Sequence, residues 1–219
     1  MGWRALCTAA VLLAFAVSAR AAALPDLDVL VSYETRQVGA NGITRTETWQ
    51  ERVTRRGDTV WTERVLPAHE PAAEPAGHKH FDFDRAARWL QRDANGQMQL
   101  RYVDREHRVV VSVPKAEYGA VGFDGRWDAA ASIVPATVVE RMSAAQGRAG
   151  AAQWRTEQAQ GWSHRVLWSA SKQVALRIES RRDDGGARRV VTAVPVAARG
   201  LPWQGVEAYA QKEYDDFMD

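Results

Sequence analysis

The clearest alternation of apolar and polar residues lies near the end of the chain, within residues 162–196. Two runs rich in β-branched residues, 174–178 and 190–196, flank the turn sequence Asp-Asp-Gly-Gly at 183–186. This pattern predicts an antiparallel hairpin. The preceding run, 162–168, alternates as well. The three runs therefore predict three adjacent strands that share one apolar face.

The turn of this hairpin allows two registers. A two-residue loop at Asp184-Gly185 places Ile178 opposite Val191, whereas a three-residue loop at 184–186 places Ile178 opposite Thr192. We expect the three-residue loop, because it gives one continuous apolar face. A glycine in the left-handed region is also the usual third residue of such a loop.

Strand signals recur along the rest of the chain. The dipeptides Asn41-Gly42 and Asn95-Gly96 favour turns between strands. Residues 81–91 fit either a short helix or an extended piece. The predicted strands outside the final hairpin region are 29–35, 43–53, 59–66, 100–103, 108–113 and 151–158.

The register of the turn around Gly57 stays open. A two-residue loop pairs Val53 with Val60. A three-residue loop pairs Val53 with Trp61, but it also places Glu51 opposite a second glutamate, which is unfavourable.

Beside the ambiguous segment 81–91, two segments carry helical signals. Residues 134–142 have Pro135 in the first turn, and residues 206–218 carry a modest apolar stripe. A sheet of about eight or nine antiparallel strands must curl, and helices must cover one of its faces. The predicted fold class is therefore α+β, with a curled antiparallel sheet that forms a half-barrel and is covered on one face by two or three helices.

The first residues have the composition of a secretory signal peptide. Residues 1–4 supply a positive start, residues 5–17 are apolar, and residues 19–23 offer small residues at the cleavage spacing. The apolar segment is too short to span a membrane, so no transmembrane segment is expected. We expect export to the periplasm by a cleaved signal peptide, residues 1–23, followed by a single half-barrel domain, residues 24–219.

The charge balance changes once the signal peptide is removed. Arg4 and Arg20 leave with it, so the 29 basic residues of the chain become 27, equal to the 27 acidic ones. A net charge near zero removes the compositional support for a nucleic-acid partner. The single cysteine, Cys7, lies in the signal peptide as well. Thiol chemistry is therefore not expected in the mature protein.

A catalytic site has little support in the sequence. Residues 169–172 match the Ser-x-x-Lys pattern, but they lie between two predicted strands and not at the start of a helix, so a β-turn is the better interpretation. The sequence contains no G-x-S-x-G, no H-E-x-x-H and no phosphate-binding glycine loop. We expect a protein without enzymatic activity and without a cofactor.

An alternative interpretation is a metal-binding accessory protein. His69, His78 and His80 lie in a segment rich in Ala, Pro and Glu, residues 67–80. Imidazole and carboxylate groups suit zinc or copper in an oxidising compartment. The spacing of these histidines is loose, however, so a flexible solvated loop that contains them is the simpler interpretation.

The final hairpin and the strand before it carry a short sequence pattern. Trp168 is followed by Ala175-Leu176-Arg177 and then by the Asp184-Gly185 turn. This pattern resembles that of the periplasmic half-barrel family, which includes the lipoprotein carrier of the outer-membrane sorting pathway and the amino-terminal domain of a lipoprotein-sensing sigma-factor regulator. Ala175 stands where the family has proline, and the carrier's amino-terminal helix is missing. The resemblance implies an apolar concavity that receives acyl chains.

Six residues on predicted sheet faces are candidates for the lining of this concavity: Tyr33, Trp49, Trp61, Trp168, Leu176 and Ile178. The expected function is non-enzymatic binding, as carrier or sensor, of a hydrophobic small molecule or an acylated protein. An envelope protein is a candidate partner. If the aromatic side chains instead fill a packed core, the alternative is a protein-interaction or regulatory module.

Overall fold

The computed structural model describes residues 23–66 and 81–217. These residues form one curled, unclosed sheet of twelve strands with two short α-helices. The sheet-dominated prediction is confirmed at this level, but the strands outnumber the predicted eight or nine and the helices are shorter than expected. Residues 1–22 and the segment 67–80, with His69, His78 and His80, lie outside the described residues.

The secondary structure elements have the following bounds. The strands are β1 (Leu27–Val38), β2 (Thr44–Arg56), β3 (Thr59–Arg64), β4 (Ala87–Arg92), β5 (Met98–Asp104), β6 (Val109–Val113), β7 (Ser143–Ala149), β8 (Ala152–Ala159), β9 (Trp162–Ser169), β10 (Val174–Arg182), β11 (Ala187–Pro195) and β12 (Ala210–Glu213). The α-helices are α1 (Trp127–Ser132) and α2 (Ala136–Arg141), and single 3₁₀ turns cover Lys115–Glu117, Val206–Ala208 and Tyr214–Phe217.

Neighbouring strands in the sheet are mostly neighbours in sequence. The order is β12-β6-β5-β4-β3-β2-β1-β11-β10-β9-β8-β7. All pairs are antiparallel except β12 with β6. The first and last thirds of the chain therefore meet where β1 pairs with β11.

The tail was predicted to be helical, and this prediction is wrong. Residues 210–213 form β12, which pairs in parallel with β6. A free strand edge offers unpaired backbone N–H and C=O groups, and these groups outweigh the weak apolar stripe of the tail. The ambiguous segment 81–91 is extended where it enters β4, and the predicted helix at 134–142 is confirmed in shorter form as α2.

The final hairpin has the register that we did not prefer. Ile178 lies opposite Val191, and the turn spans four residues, 183–186, with Gly185 at φ +75°. The reason lies outside the hairpin, because β11 also pairs with β1 and sets Tyr33 opposite Val191. Alternation then turns Val194 outward, where it is 53% exposed.

Neither register proposed for the β2–β3 turn is correct. Gly57, at φ +51°, and Asp58 form the turn, and Arg55 lies opposite Val60. This register sets Glu51 opposite Arg64. Opposite charges therefore face each other across the ladder, where the three-residue loop would have paired two acids.

Apolar residues are buried on both faces of the β3–β6 part of the sheet. Val60 and Trp61 are both almost fully buried, yet successive residues of a strand point to opposite faces. Val60 belongs to the main core on the concave face. Trp61 belongs to a separate group on the convex face, named here the outer cluster, whose members are Trp61, Ala87, Trp89, Val103, Val110 and Val206. Trp203 and Tyr209 from the tail pack against it.

The concave face is covered by the segment 115–142, which we call the roof segment. It contributes Tyr118, Phe123, Trp127 and Ala131 to the main core. Its two helices have six residues each. They are too short to cover the whole width of a sheet of this size.

Arg55 ties the roof segment to the sheet. Its side chain is 0% exposed. The guanidinium donates hydrogen bonds to four backbone oxygens: Pro25 (2.8 Å), Lys172 (2.6 Å), Gln173 (3.2 Å) and Ala131 in α1. No carboxylate of the described residues forms an ion pair with it. Burial lowers the pKa of Arg55 to about 10, which leaves it charged at neutral pH.

We expect the substitution Arg55→Met to lower the free energy of unfolding by about 3 kcal/mol or more, because four carbonyls would lose a charged donor. Urea unfolding followed by circular dichroism measures this loss. Arg52→Met is the matched control on the same strand, since Arg52 makes no side-chain hydrogen bond within the described residues. It should cost less than about 1 kcal/mol. Equal costs for the two variants would contradict the role of Arg55.

Candidate functional site

A cavity of about 660 Å³ lies between the concave face of the sheet and the roof segment. This volume lies within the range of small-molecule sites. The side formed by the roof helices is largely apolar and consists of Ala129, Ala130, Ile133, Val134, Val138 and Met142. The side formed by the sheet is mixed, since Val53, Val166 and Val191 alternate there with charged and hydroxyl-bearing residues.

The sequence explains why the roof is broken into two helices. Val134 precedes Pro135, and a residue before proline is driven away from the helical region. Helix α1 therefore ends at Ser132, and Ile133 adopts φ +68°. This conformation is costly for a β-branched residue. Pro135 is then the N-cap residue of α2, directly before its first turn.

Two of the six predicted site residues line the cavity. Tyr33 enters from β1 and Ile178 from β10. Trp49 lies directly opposite Tyr33 on β2 and stacks on it, with ring centroids 4.7 Å apart and planes 8° apart. Tyr33, Trp49 and Ile178 are thus brought to the same side of the sheet.

The other three predicted residues do not line the cavity. Trp61 belongs to the outer cluster on the opposite face. Trp168 packs against the small cluster that contains Val139 and Met142, beside α2. Leu176 packs against the main core, at a β-bulge that interrupts the pairing of β10 with β9.

The charged residues of the cavity and its histidine were not found by sequence reasoning. Glu51, Arg88, His164 and Arg189 all line it. Each comes from a different strand, and they lie at different levels of the sheet, since Glu51 is opposite Val31 and Arg189 is opposite Thr35. The sequence signal that identifies them is a charged or imidazole side chain at an inward position of its strand, such as Glu51 two residues from Trp49 and Arg189 two residues from Val191.

The surroundings of Tyr33 combine burial with charge. Burial raises the pKa of the Tyr33 hydroxyl, and the nearby Glu51 carboxylate raises it further. Arg88 and Arg189 oppose this effect. The Arg189 guanidinium carbon lies 5.9 Å from the centroid of the Tyr33 ring. The hydroxyl is therefore held protonated at neutral pH among charges of both signs.

A histidine and a serine face the cavity next to this group. His164 Nδ1 and Ser180 Oγ are 2.9 Å apart, and the Trp162 ring stacks on the imidazole. Glu157 lies opposite His164 in the strand register. Within the described residues, however, no carboxylate is close enough to His164 to form an ion pair. The arrangement therefore lacks the oriented base of a Ser-His-acid triad.

The Ser-x-x-Lys match is a turn. The backbone N–H of Lys172 donates to Ser169 Oγ at 3.3 Å in the connection between β9 and β10. The described residues hold no group of three His, Cys, Asp or Glu side chains that could bind a metal ion. Across the same residues, no helix has the length and apolar character needed to cross a membrane.

No protein-family model matches the chain, and no curated protein matches it. Similar solved structures exist. An uncharacterised conserved protein from Thermus thermophilus is 11% identical, with 84% of this chain and 90% of that chain covered and a TM-score of 0.40. A domain named for outer-membrane lipoprotein sorting, from Vibrio parahaemolyticus, is 9% identical, with 82% and 89% covered and a TM-score of 0.32.

A LolA superfamily protein from Nitrosomonas europaea is 10% identical, with 82% of this chain and 90% of that chain covered and a TM-score of 0.21. The names of these last two proteins fit the weak resemblance of the final hairpin to the lipoprotein-carrier family. At these values of identity and TM-score, the likenesses assign the chain neither a family nor a function.

The raised pKa of Tyr33 predicts a loss of stability in alkali. Below about pH 10 the folded and unfolded chains both hold this proton, whereas above it the unfolded chain loses the proton first. Stability therefore falls as the pH rises. We expect Tyr33→Phe to remove this part of the loss, measured as the change in unfolding free energy between about pH 9 and about pH 11. The same pH dependence in the parent and the variant would contradict the prediction.

Proposed function

We propose that this chain binds a hydrophobic ligand, or the acyl group of a lipidated partner, in the cavity beneath the roof segment. It acts as a non-enzymatic carrier or sensor, and the predicted signal peptide assigns this role to the periplasm. The observation that carries the proposal is the unfilled cavity of about 660 Å³ under the apolar side of the roof segment.

The apolar residues of the roof support this proposal. Ile133, Val134 and Val138 are only partly buried, although they point toward the sheet across the cavity. An apolar surface that stays open gains free energy when an apolar molecule covers it, by roughly 25 cal/mol for each Å² removed from water. A hydrophobic chain is the ligand that meets this condition.

The floor of the cavity, which the sheet forms, also supports the proposal. Three valines, Val53, Val166 and Val191, form the floor of the cavity and are themselves buried. They hold the floor in place without filling the space above it. A preformed cavity of this kind binds with little cost in conformational entropy.

We expect Val138→Trp to weaken binding of a fluorescent fatty-acid probe by about tenfold or more, because the indole would occupy the cavity. The melting temperature should change little, since the new side chain enters open space and does not overpack a core. Fluorescence titration of the purified mature protein measures the affinity.

Thr137→Trp is the matched control. Thr137 is the preceding residue of α2, is exposed and does not line the cavity. This variant should bind the probe like the parent. Equal weakening in both variants would show that the probe binds elsewhere. Absence of binding by the parent would overturn the proposal and favour a protein-interaction module.

A further inference from the structure

The arginines of the cavity extend the proposed function to the chemistry of the ligand. Arg88 lies on β4 opposite Tyr102, and Arg189 lies on β11 opposite Thr35. Both side chains line the cavity, and both act on the hydroxyl of Tyr33. Two cationic groups from distant parts of the chain therefore line the same cavity, and both act on the Tyr33 hydroxyl.

Neither arginine is neutralised by a carboxylate. Among the described residues, neither Arg88 nor Arg189 forms an ion pair. The Arg88 guanidinium carbon lies 5.7 Å from the centroid of the Phe123 ring, and Arg189 lies over the ring of Tyr33. Stacking on an aromatic face leaves the N–H groups at the edge of a guanidinium available as donors.

The acidic residues of the cavity do not cancel this charge. Glu51 lies opposite Arg64, whose guanidinium carbon is 5.9 Å from the centroid of the Trp49 ring. Asp124 is exposed and accepts a hydrogen bond of 2.9 Å from the backbone N–H of Arg126. Glu157 is exposed as well. Two arginines, Arg88 and Arg189, and one acid, Glu51, thus act on the Tyr33 hydroxyl, and Glu51 has a further arginine opposite it in the strand register.

We infer that the ligand is an anionic amphiphile, whose acidic group is held by Arg88 and Arg189 beside Tyr33 while its apolar chain lies beneath the roof segment. This inference rests on the proposed function. Arginine N–H groups bind carboxylate and phosphate oxygens through charge-assisted hydrogen bonds. A fatty-acid carboxylate and the phosphate of a phospholipid headgroup share this chemistry.

Calorimetric titration with ligands of one chain length and different head groups tests the inference. Dodecanoate, dodecyl phosphate and dodecanol are titrated into the mature protein at neutral to mildly alkaline pH. The anionic ligands should bind roughly tenfold or more tightly than the alcohol. Added salt should weaken binding of the anions and leave dodecanol unchanged. The ratio between the two anions distinguishes a carboxylate site from a phosphate site.

The variant Arg88→Gln/Arg189→Gln should lose the preference for anions and keep its affinity for dodecanol. The matched control is Arg52→Gln/Arg165→Gln, which removes the same charge from the convex face and should keep the preference. If Arg88→Gln prevents folding, Arg189→Gln alone serves, because Arg189 is exposed. It should lower the preference partly.

Two results would overturn the inference while leaving the proposed function in place. One is a parent protein that binds dodecanol as tightly as the anions. The other is an anion preference that survives in the Arg88/Arg189 variant. Failure of the parent to bind any of the three ligands would instead overturn the proposed function itself.

Discussion

The buried guanidinium of Arg55 is the contact on which the architecture depends. It reaches the segment before β1, the end of α1 and the turn between β9 and β10, which are far apart in sequence. A charge that is removed from water must be matched by hydrogen bonds. Here backbone carbonyls alone provide them, so these three pieces can separate only by leaving the charge unpaired. The roof segment is thereby fixed to the sheet at the end of α1, next to the residues that line the cavity.

The two-sided character of the cavity has a simple origin. Its roof consists mainly of alanine, valine and isoleucine residues, which lie in α1, in α2 and in the short loop that joins them. Its floor is a sheet in which every second residue points inward. Because the inward positions of the sheet include Glu51, Arg88 and Arg189 beside several valines, one wall is mixed and carries charge, while the opposite wall is largely apolar. This combination is suited to a molecule with two unlike ends.

Local patterns in the sequence identified most of the strands. The alternation in β9, β10 and β11 and the turn residues Asn41-Gly42 and Asn95-Gly96 depend on neighbours along the chain, and the sequence displays these directly. Registers were less accessible. The register of β10 with β11 is decided by the pairing of β11 with β1, which lies more than 150 residues earlier. A pattern confined to the hairpin does not contain that information.

The candidate site likewise contains residues that the sequence pattern identified and residues that it did not. Tyr33 and Ile178 could be chosen because apolar alternation marks one face of their strands. Trp61 could not be assigned correctly, since a tryptophan on either face gives the same pattern and the outer cluster becomes visible only when the tail is seen packing against it. The β-bulge at Leu176 also breaks the alternation on which its assignment depended. The arginines were missed because charge at an inward position contradicts the usual expectation for a core.

The outer cluster makes the two halves of the sheet mechanically unequal. Strands β3 to β6 are packed on both faces, so any change in their curvature would shear close-packed side chains. Strands β8 to β10 are packed on the concave face, while their convex face carries ion pairs such as Arg165 with Glu179. Surface ion pairs of this kind contribute little to stability, so they can lengthen at little cost in free energy. The part of the sheet formed by β8 to β10 therefore deforms more easily than the rest. A bulkier ligand would be accommodated by flattening these strands, while β3 to β6 keep their curvature.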